Sequence, residues 1–296
     1  MDTSQFDALY RDVPAEMRET LLEFRASHPY QHVEIKGVPW EYIACGQGTQ
    51  ALLILGGGLS VGETSFTTIL RMEKEFRILC PSYPPVGKMD VLADGLAAIL
   101  DRENIPKSSI LGHSLGSAVG HVFLRFYPER VDRLVLDGFG LYSPFHTWMA
   151  QLFILLPYPA LKSYYRRAFN RLLAHADKDE RLFMKAYIEE LFSTLHTRET
   201  FLGQFNLLAD IFTHAEKYRV FEPVERPGKV LLMLAEDDHG FTPGERQALI
   251  ATYPDAWIHR FTSGGHLSEL SHPEEFNAHL DGFLKMNSNP KAINIP

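Results

Sequence analysis

The sequence predicts the α/β class: a mostly parallel eight-stranded sheet with helices on both faces and an inserted helical cap. Three observations carry this. From Gln31 onward, short strand-like runs alternate with amphipathic helix-like stretches, as βα units do. Some of those runs are apolar at nearly every position, which is how strands covered on both faces read. From about Tyr142 to Phe221 the strand pattern stops, a helical stretch rich in Phe, Leu, Tyr, Met and Arg takes over, and the sheet pattern then resumes.

The N-terminal segment Phe6 to Ser27 reads as an added helix or two. Residues 31–45 carry two strands broken by the turn-prone Gly37-Val38-Pro39, an antiparallel opening hairpin. Ala51 to Leu55 is a continuous apolar strand ending in Gly56-Gly57-Gly58. Arg77 to Pro81 is the next strand, Val91 to Arg102 a helix, and Ser108 to Leu111 a strand running into Gly112-His113-Ser114-Leu115-Gly116. Leu115, Val119, Val122, Phe123 and Phe126 fall at helical spacing and mark one buried face. Leu134 to Leu136, Lys229 to Ala235 and Trp257 to Phe261 complete the strands, and a last helix carries Phe276, Leu280, Phe283 and Leu284 on one side. Thr242-Pro243-Gly244-Glu245 matches a capping box, and Ser271-His272-Pro273-Glu274-Glu275 puts proline and two acids in a first turn. Asn287 to Pro296 reads as a loose tail. The division is core over 1–141, cap over 142–222 and core again over 223–296.

The formal charge of -8 leaves no basic face for phosphate backbones or anionic membrane, so no nucleic-acid or membrane partner is expected. Met1 to Tyr10 lack the basic and apolar succession of a secretory signal, and the apolar stretch Phe153 to Leu156 stops at Pro157, far short of a membrane span. A cytoplasmic location is the default. Cys45 and Cys80 sit in strand-like runs and read as buried free thiols. Cysteine and histidine are not clustered at metal spacing, and the triple glycine is not followed by a phosphate-loop pattern, so neither metal nor cofactor is expected. The expected partner is a small-molecule substrate, and the oligomeric state is not legible.

A serine hydroxyl needs a base to take its proton and must stand clear of the backbone for a carbonyl to approach. Gly112 to Gly116, between a strand and an amphipathic helix, provides that presentation at a sharp turn and marks Ser114 as nucleophile. The base should follow the last strand. Among 13 histidines, only His266 combines a strand end with the paired glycines of Ser263-Gly264-Gly265-His266. The acid that fixes the imidazole tautomer should follow an earlier strand. Asp237 and Asp238 do so, with Asp238 preferred, and Asp137 is a third candidate.

These motifs resemble the α/β-hydrolase fold family over about Val33 to Met286, in its capped serine hydrolase and esterase branch. The likeness rests on Gly112 to Gly116, on Ala235-Glu236-Asp237-Asp238, which is similar to the family's G-x-x-D, and on Gly264-Gly265-His266. The resemblance gives Asp238 the aspartate position. It implies an oxyanion hole made by the amide of Leu115 and one from Gly58 or Leu59. Glycine replaces the usual His-Gly after the third strand, and Ser82-Tyr83-Pro84-Pro85 follows the fourth; both features resemble the branch containing maspardin. A serine at position 114 excludes the family's aspartate-nucleophile dehalogenases and epoxide hydrolases.

The expected function is therefore a serine hydrolase that cleaves a small or medium, largely apolar carboxylic ester through an acyl-enzyme. A carbon-carbon bond hydrolase, thioesterase or lactonase uses the same triad, and a small-molecule receptor on this fold is the reading from another class. His113, Trp148 and Phe145 are candidate substrate contacts, along with other cap residues such as Met149, Phe153, Tyr164, Tyr165, Phe169, Phe183, Phe192 and Phe205. Arg166-Arg167 and Lys178 to Arg181 are expected to be solvated faces.

Overall fold

The structure is a computed structural model, and it describes residues 3–141 and 144–286. The elements run α1 (Thr3–Leu9), α2 (Ala15–Ser27), β1 (Tyr30–Ile35), β2 (Val38–Cys45), β3 (Gln50–Leu55), α3 (Phe66–Met72), β4 (Phe76–Pro81), α4 (Met89–Arg102), β5 (Ser108–His113), α5 (Leu115–Phe126), β6 (Val131–Asp137), α6 (Pro144–Ile154), α7 (Tyr158–Leu172), α8 (Lys178–Glu190), α9 (Arg198–Thr213), β7 (Val230–Ala235), α10 (Pro243–Thr252), β8 (Trp257–Phe261), α11 (Ser268–Ser271) and α12 (Pro273–Leu284). The eight strands form one sheet in the order β1-β2-β4-β3-β5-β6-β7-β8. Only β2 is antiparallel to its neighbours, β1 and β4; the pairs from β4 through β8 are parallel.

Strand periodicity sends alternate side chains to opposite faces, and here both faces are covered. Leu52 and Ile54 of β3, with Leu231, Met233 and Ala235 of β7, join one apolar cluster. Leu53 and Leu55, with Val230, Leu232 and Leu234, join the other, under α4 and α5. That is why β7 is buried at all six positions and why its sequence shows no polar alternation. Truncating one of these fully buried leucines to alanine costs about 2–5 kcal/mol.

The opening hairpin turns one step earlier than the sequence suggests. Lys36 and Gly37 both have positive φ (51° and 79°), the form of a two-residue primed turn, and Val38 and Pro39 already pair with Ile35 and Glu34. Proline is tolerated there because β2 joins β4 only from Tyr42 onward, so Pro39 has a neighbour on one side alone. The Thr242–Glu245 capping box forms, and Pro243 and Pro273 open their helices. Helix α3 has no counterpart in the sequence reading. The proposed tail, Asn287 to Pro296, lies outside the described residues.

Four helices, α6 to α9, intervene between β6 and β7 and roof the sheet's C-terminal edge. They do not pack alone: Phe183 and Tyr187 of α8 share a cluster with Phe6, Tyr10 and Phe24 of the N-terminal helices. An ionic clasp ties the same parts together. Arg25 of α2 reaches Glu63 after β3 (2.6 and 2.9 Å) and Glu190 of α8 (2.9 and 3.1 Å). Tyr187 donates to Glu63 and Tyr10 to Glu190, while both glutamates are buried. Paired and hydrogen-bonded, buried charges of this kind persist; unpaired they are costly.

Candidate active site

The turn from β5 into α5 places Ser114 at φ 51°, ψ -114°, a strained conformation for a non-glycine residue that costs on the order of 1–3 kcal/mol. Its flanking glycines are required by space. A Cβ at Gly116 would stand 1.9 Å from the Leu55 carbonyl oxygen, and one at Gly112 would stand 2.6 Å from that of Gly116. The strand-to-helix turn therefore closes tightly enough to lift the serine side chain clear.

The three residues named from sequence meet here. Ser114 Oγ and His266 Nε2 are 2.8 Å apart, and His266 Nδ1 and Asp238 Oδ2 are 2.9 Å apart. Asp238 Oδ1 also accepts from the Gly240 amide at 2.7 Å. Burial alone would raise the Asp238 carboxyl, but the hydrogen bond and charge of His266, with the Gly240 amide, outweigh it and hold the group below the usual carboxylate range. An ionised acceptor facing Nδ1 leaves Nε2 as the nitrogen that faces the serine.

The two other candidate acids do different work. Asp237 accepts from the amides of Gly265 (2.8 Å) and Gly264 (3.2 Å), clamping the loop that carries His266. Asp137 binds His113 Nδ1 at 2.6 Å and accepts from Ser268 Oγ at 3.2 Å. Burial pulls the His113 imidazole down, yet the hydrogen bond and charge of Asp137 win, and it ends raised to about 9. A second His–Asp pair thus stands beside the first, with the His113 and His266 rings 5.3 Å apart. Sequence reasoning did not see either arrangement, although Asp137 at a strand end was a usable signal.

Gly58, Leu59 and Leu115 all border the cavity above Ser114. Gly57 to Ser60 form a turn closed by Ser60 N donating to the Gly57 carbonyl at 2.9 Å, which leaves the Gly58 and Leu59 amides without an acceptor among the described residues. The Leu115 amide belongs to the first turn of α5, where helix N–H groups have no intrahelical partner and the helix dipole favours negative charge.

The cavity measures about 380 Å³, the small end of the range for ligand pockets. His113, Tyr164, Tyr165, Phe169 and Phe183 line it as the sequence suggested. Met17 of α2, Phe66 of α3, Phe241 and Phe276 line it too, and these the sequence did not mark. Trp148 is a correction: it stands 54% exposed on α6 and is not part of the wall, because α6 turns that side outward. Phe153, Phe192 and Phe205 pack within the cap. The side chain of Phe145 lies outside the described residues. Arg166 pairs with Glu189, as expected of a solvated face, but within the charged run Lys178 to Arg181 the Glu180 side chain faces the cavity.

Two groups of potential metal ligands meet in space without any sequence spacing to announce them: His28, Cys45 and Glu73, and His259, Glu275 and His279. In the first, His28 Nε2 already pairs with Glu73 at 2.8 Å, and burial pushes the Cys45 thiol up to about 12, which disfavours the ligating thiolate. In the second, the two imidazoles stack with centroids 3.5 Å apart and planes 26° from parallel, so their in-plane lone pairs do not converge. No described helix is long and apolar enough to cross a membrane.

The sheet order and the sharp strand-to-helix turn after β5 are those of a hydrolase of the α/β class. The chain belongs to the α/β-hydrolase family, described as "Alpha/beta hydrolase family", whose model matches residues 52–279. It is 25% identical over 268 residues to a 2-hydroxy-6-oxononadienedioate/2-hydroxy-6-oxononatrienedioate hydrolase of Burkholderia vietnamiensis, covering 82% of this chain and 90% of that protein. It is 24% identical to a 2-hydroxy-6-oxo-6-phenylhexa-2,4-dienoate hydrolase of Burkholderia cepacia, with 81% and 88% covered. Among solved structures, a hydrolase from Pseudomonas aeruginosa superimposes with TM-score 0.69 at 18% identity, covering 87% of this chain and 99% of that one. An E-2-(acetamidomethylene)succinate hydrolase does so with TM-score 0.67 at 14% identity, covering 88% and 100%.

Proposed function

We propose that the protein is a serine hydrolase that cleaves a small or medium carboxylic ester through an acyl-enzyme. The observation that carries this is the unbroken chain Ser114 Oγ, His266, Asp238, with both links at hydrogen-bond distance. His266 Nε2 takes the Ser114 proton as Oγ attacks the carbonyl carbon, and Asp238 stabilises the imidazolium that results. The amide of Leu115, with that of Gly58 or Leu59, receives the oxyanion, each such donor being worth about 3–4 kcal/mol of barrier. The tetrahedral intermediate collapses, His266 protonates the departing alcohol, and water attacks the acyl-serine by the same route in reverse.

A second reading has specific support: the curated relatives named above are hydrolases of dienoate and dienedioate compounds, so carbon-carbon bond cleavage by the same residues is the alternative. A fluorophosphonate probe tests the shared step, and Ser114 should label in the wild type but not in Ser114→Ala. A chain-length series of nitrophenyl esters beside a dienoate panel then separates the two. A 380 Å³ cavity predicts a preference for short and medium acyl chains with little action on emulsified triglyceride; faster turnover of a dienoate than of any ester would move the assignment to the second reading.

A further inference from the structure

The cavity over Ser114 has an unbalanced charge. Among the described residues it is lined by no lysine and no arginine, while Glu180 of α8 and Glu269 of α11 both border it. Neither carboxylate has a hydrogen-bond or ion-pair partner among the described residues, in contrast to Glu63 and Glu190 of the clasp. One side-chain acceptor of the wall adds to this, while the Gly58 and Leu59 amides and the Tyr165 hydroxyl are donors on the same wall. Gln204 is 5% exposed and its Nε2 donates to the Phe201 carbonyl at 3.2 Å. Its Oε1 lies against Gly58 and accepts no hydrogen bond from the described residues. His113 offsets this only in part: its charge favours the Glu269 carboxylate, while Asp137, paired with it at 2.6 Å, opposes that effect.

Carboxylates turned into a confined apolar space are costly unless a cation or donor meets them. Burial raises both carboxyls above their usual range, and for Glu180 the charges of Asp177, Glu269 and Asp179 add to the effect. An anionic substrate entering here would add a third negative charge to a site with no described lysine or arginine. A positive one would relieve the two already present.

Resting on the ester-hydrolase reading, we propose that this cavity selects substrates bearing a positively charged nitrogen, which Glu180 and Glu269 hold, and discriminates against carboxylate-bearing substrates of the kind that the relatives' names describe.

The test uses nitrophenyl esters of matched acyl length ending in trimethylammonium, tert-butyl or carboxylate. The expected order of kcat/KM is ammonium, then tert-butyl, then carboxylate, with the first ratio about tenfold, the size of one charge-assisted contact. Glu180→Gln with Glu269→Gln, verified as folded by circular dichroism, should bring that ratio close to one. Equal or faster turnover of the tert-butyl ester by the wild type overturns the proposal. If the folded protein turns over no ester at all, the ester reading fails, and calorimetry on the same protein decides the charge question separately. Hexyltrimethylammonium binding more tightly than hexanoate, with the difference lost in the double variant, sustains the selectivity; hexanoate binding as well or better overturns it.

Discussion

Substituting Asp238 by asparagine tests the hydrogen-bond logic of the site with almost no change of shape. Asp238 Oδ1 accepts the Gly240 amide at 2.7 Å, so the asparagine carbonyl must occupy that position, and its NH2 then faces His266 Nδ1, 2.9 Å from the present Oδ2. An NH2 only donates. Nδ1 must therefore become the acceptor, the ring proton moves to Nε2, and Nε2 donates to Ser114 Oγ where it should accept. The base is lost although every heavy atom stays in place. The expected fall in kcat is about 10⁴-fold, the size seen when a triad is locked in the wrong tautomer, or about 5 kcal/mol of barrier. Steady-state ester hydrolysis measures it, with Asp237→Asn as the companion. That variant keeps one of its two amide contacts, leaves the tautomer alone, and should lose about tenfold or less. Retention of kcat within tenfold in Asp238→Asn, or a deeper loss in Asp237→Asn, would refute this account of the acid.

Ser114→Ala and His266→Ala should each remove nearly all turnover, and the double variant should be scarcely worse than either, because members of such a unit are not additive; additive losses would count against it. Arg25→Met leaves Glu63 and Glu190 without their cation and should lower unfolding free energy by about 3 kcal/mol in urea, the low end for a buried pair since a quarter of the Arg25 side chain is exposed; a change below about 1 kcal/mol would show the clasp to be ornamental to stability. The His113–Asp137 pair carries a sign. With His113 raised from 6.5 to about 9, its contribution is complete below pH 6.5 and disappears as pH rises through about 9. Unfolding measured across that window should show declining stability in the wild type and a flatter profile in His113→Gln.

What the sequence made legible follows from what local pattern encodes. β3, β5 and β7 were readable because strands covered on both faces are apolar almost throughout, and Ser114 and His266 because each sits where glycines mark an abrupt strand end. Asp238 was preferred over Asp237 by a motif, and the geometry explains the neighbour: one aspartate turns toward the imidazole while the next holds the loop beneath it. What stayed hidden depends on which way a surface turns. Trp148 and Tyr165 are both aromatic residues on cap helices, yet one is exposed and the other lines the cavity, a difference set by packing between helices distant in sequence. Glu180 looked like part of a solvated run because its neighbours Lys178, Asp179 and Arg181 share its polarity but not its direction. The Arg25 clasp joins residues 38 and 165 positions away, a span over which no periodicity survives.

That clasp also constrains how the enzyme can breathe. Glu63 belongs to the same connection as Gly58 and Leu59, beside Ser114, and Glu190 ends the cap helix that carries Glu180. With one guanidinium gripping both, α8 cannot swing outward without dragging the segment next to the nucleophile along with it. An opening for substrate that left this tie intact would part along α6 and α7, where Leu152 and Tyr164 already face solvent.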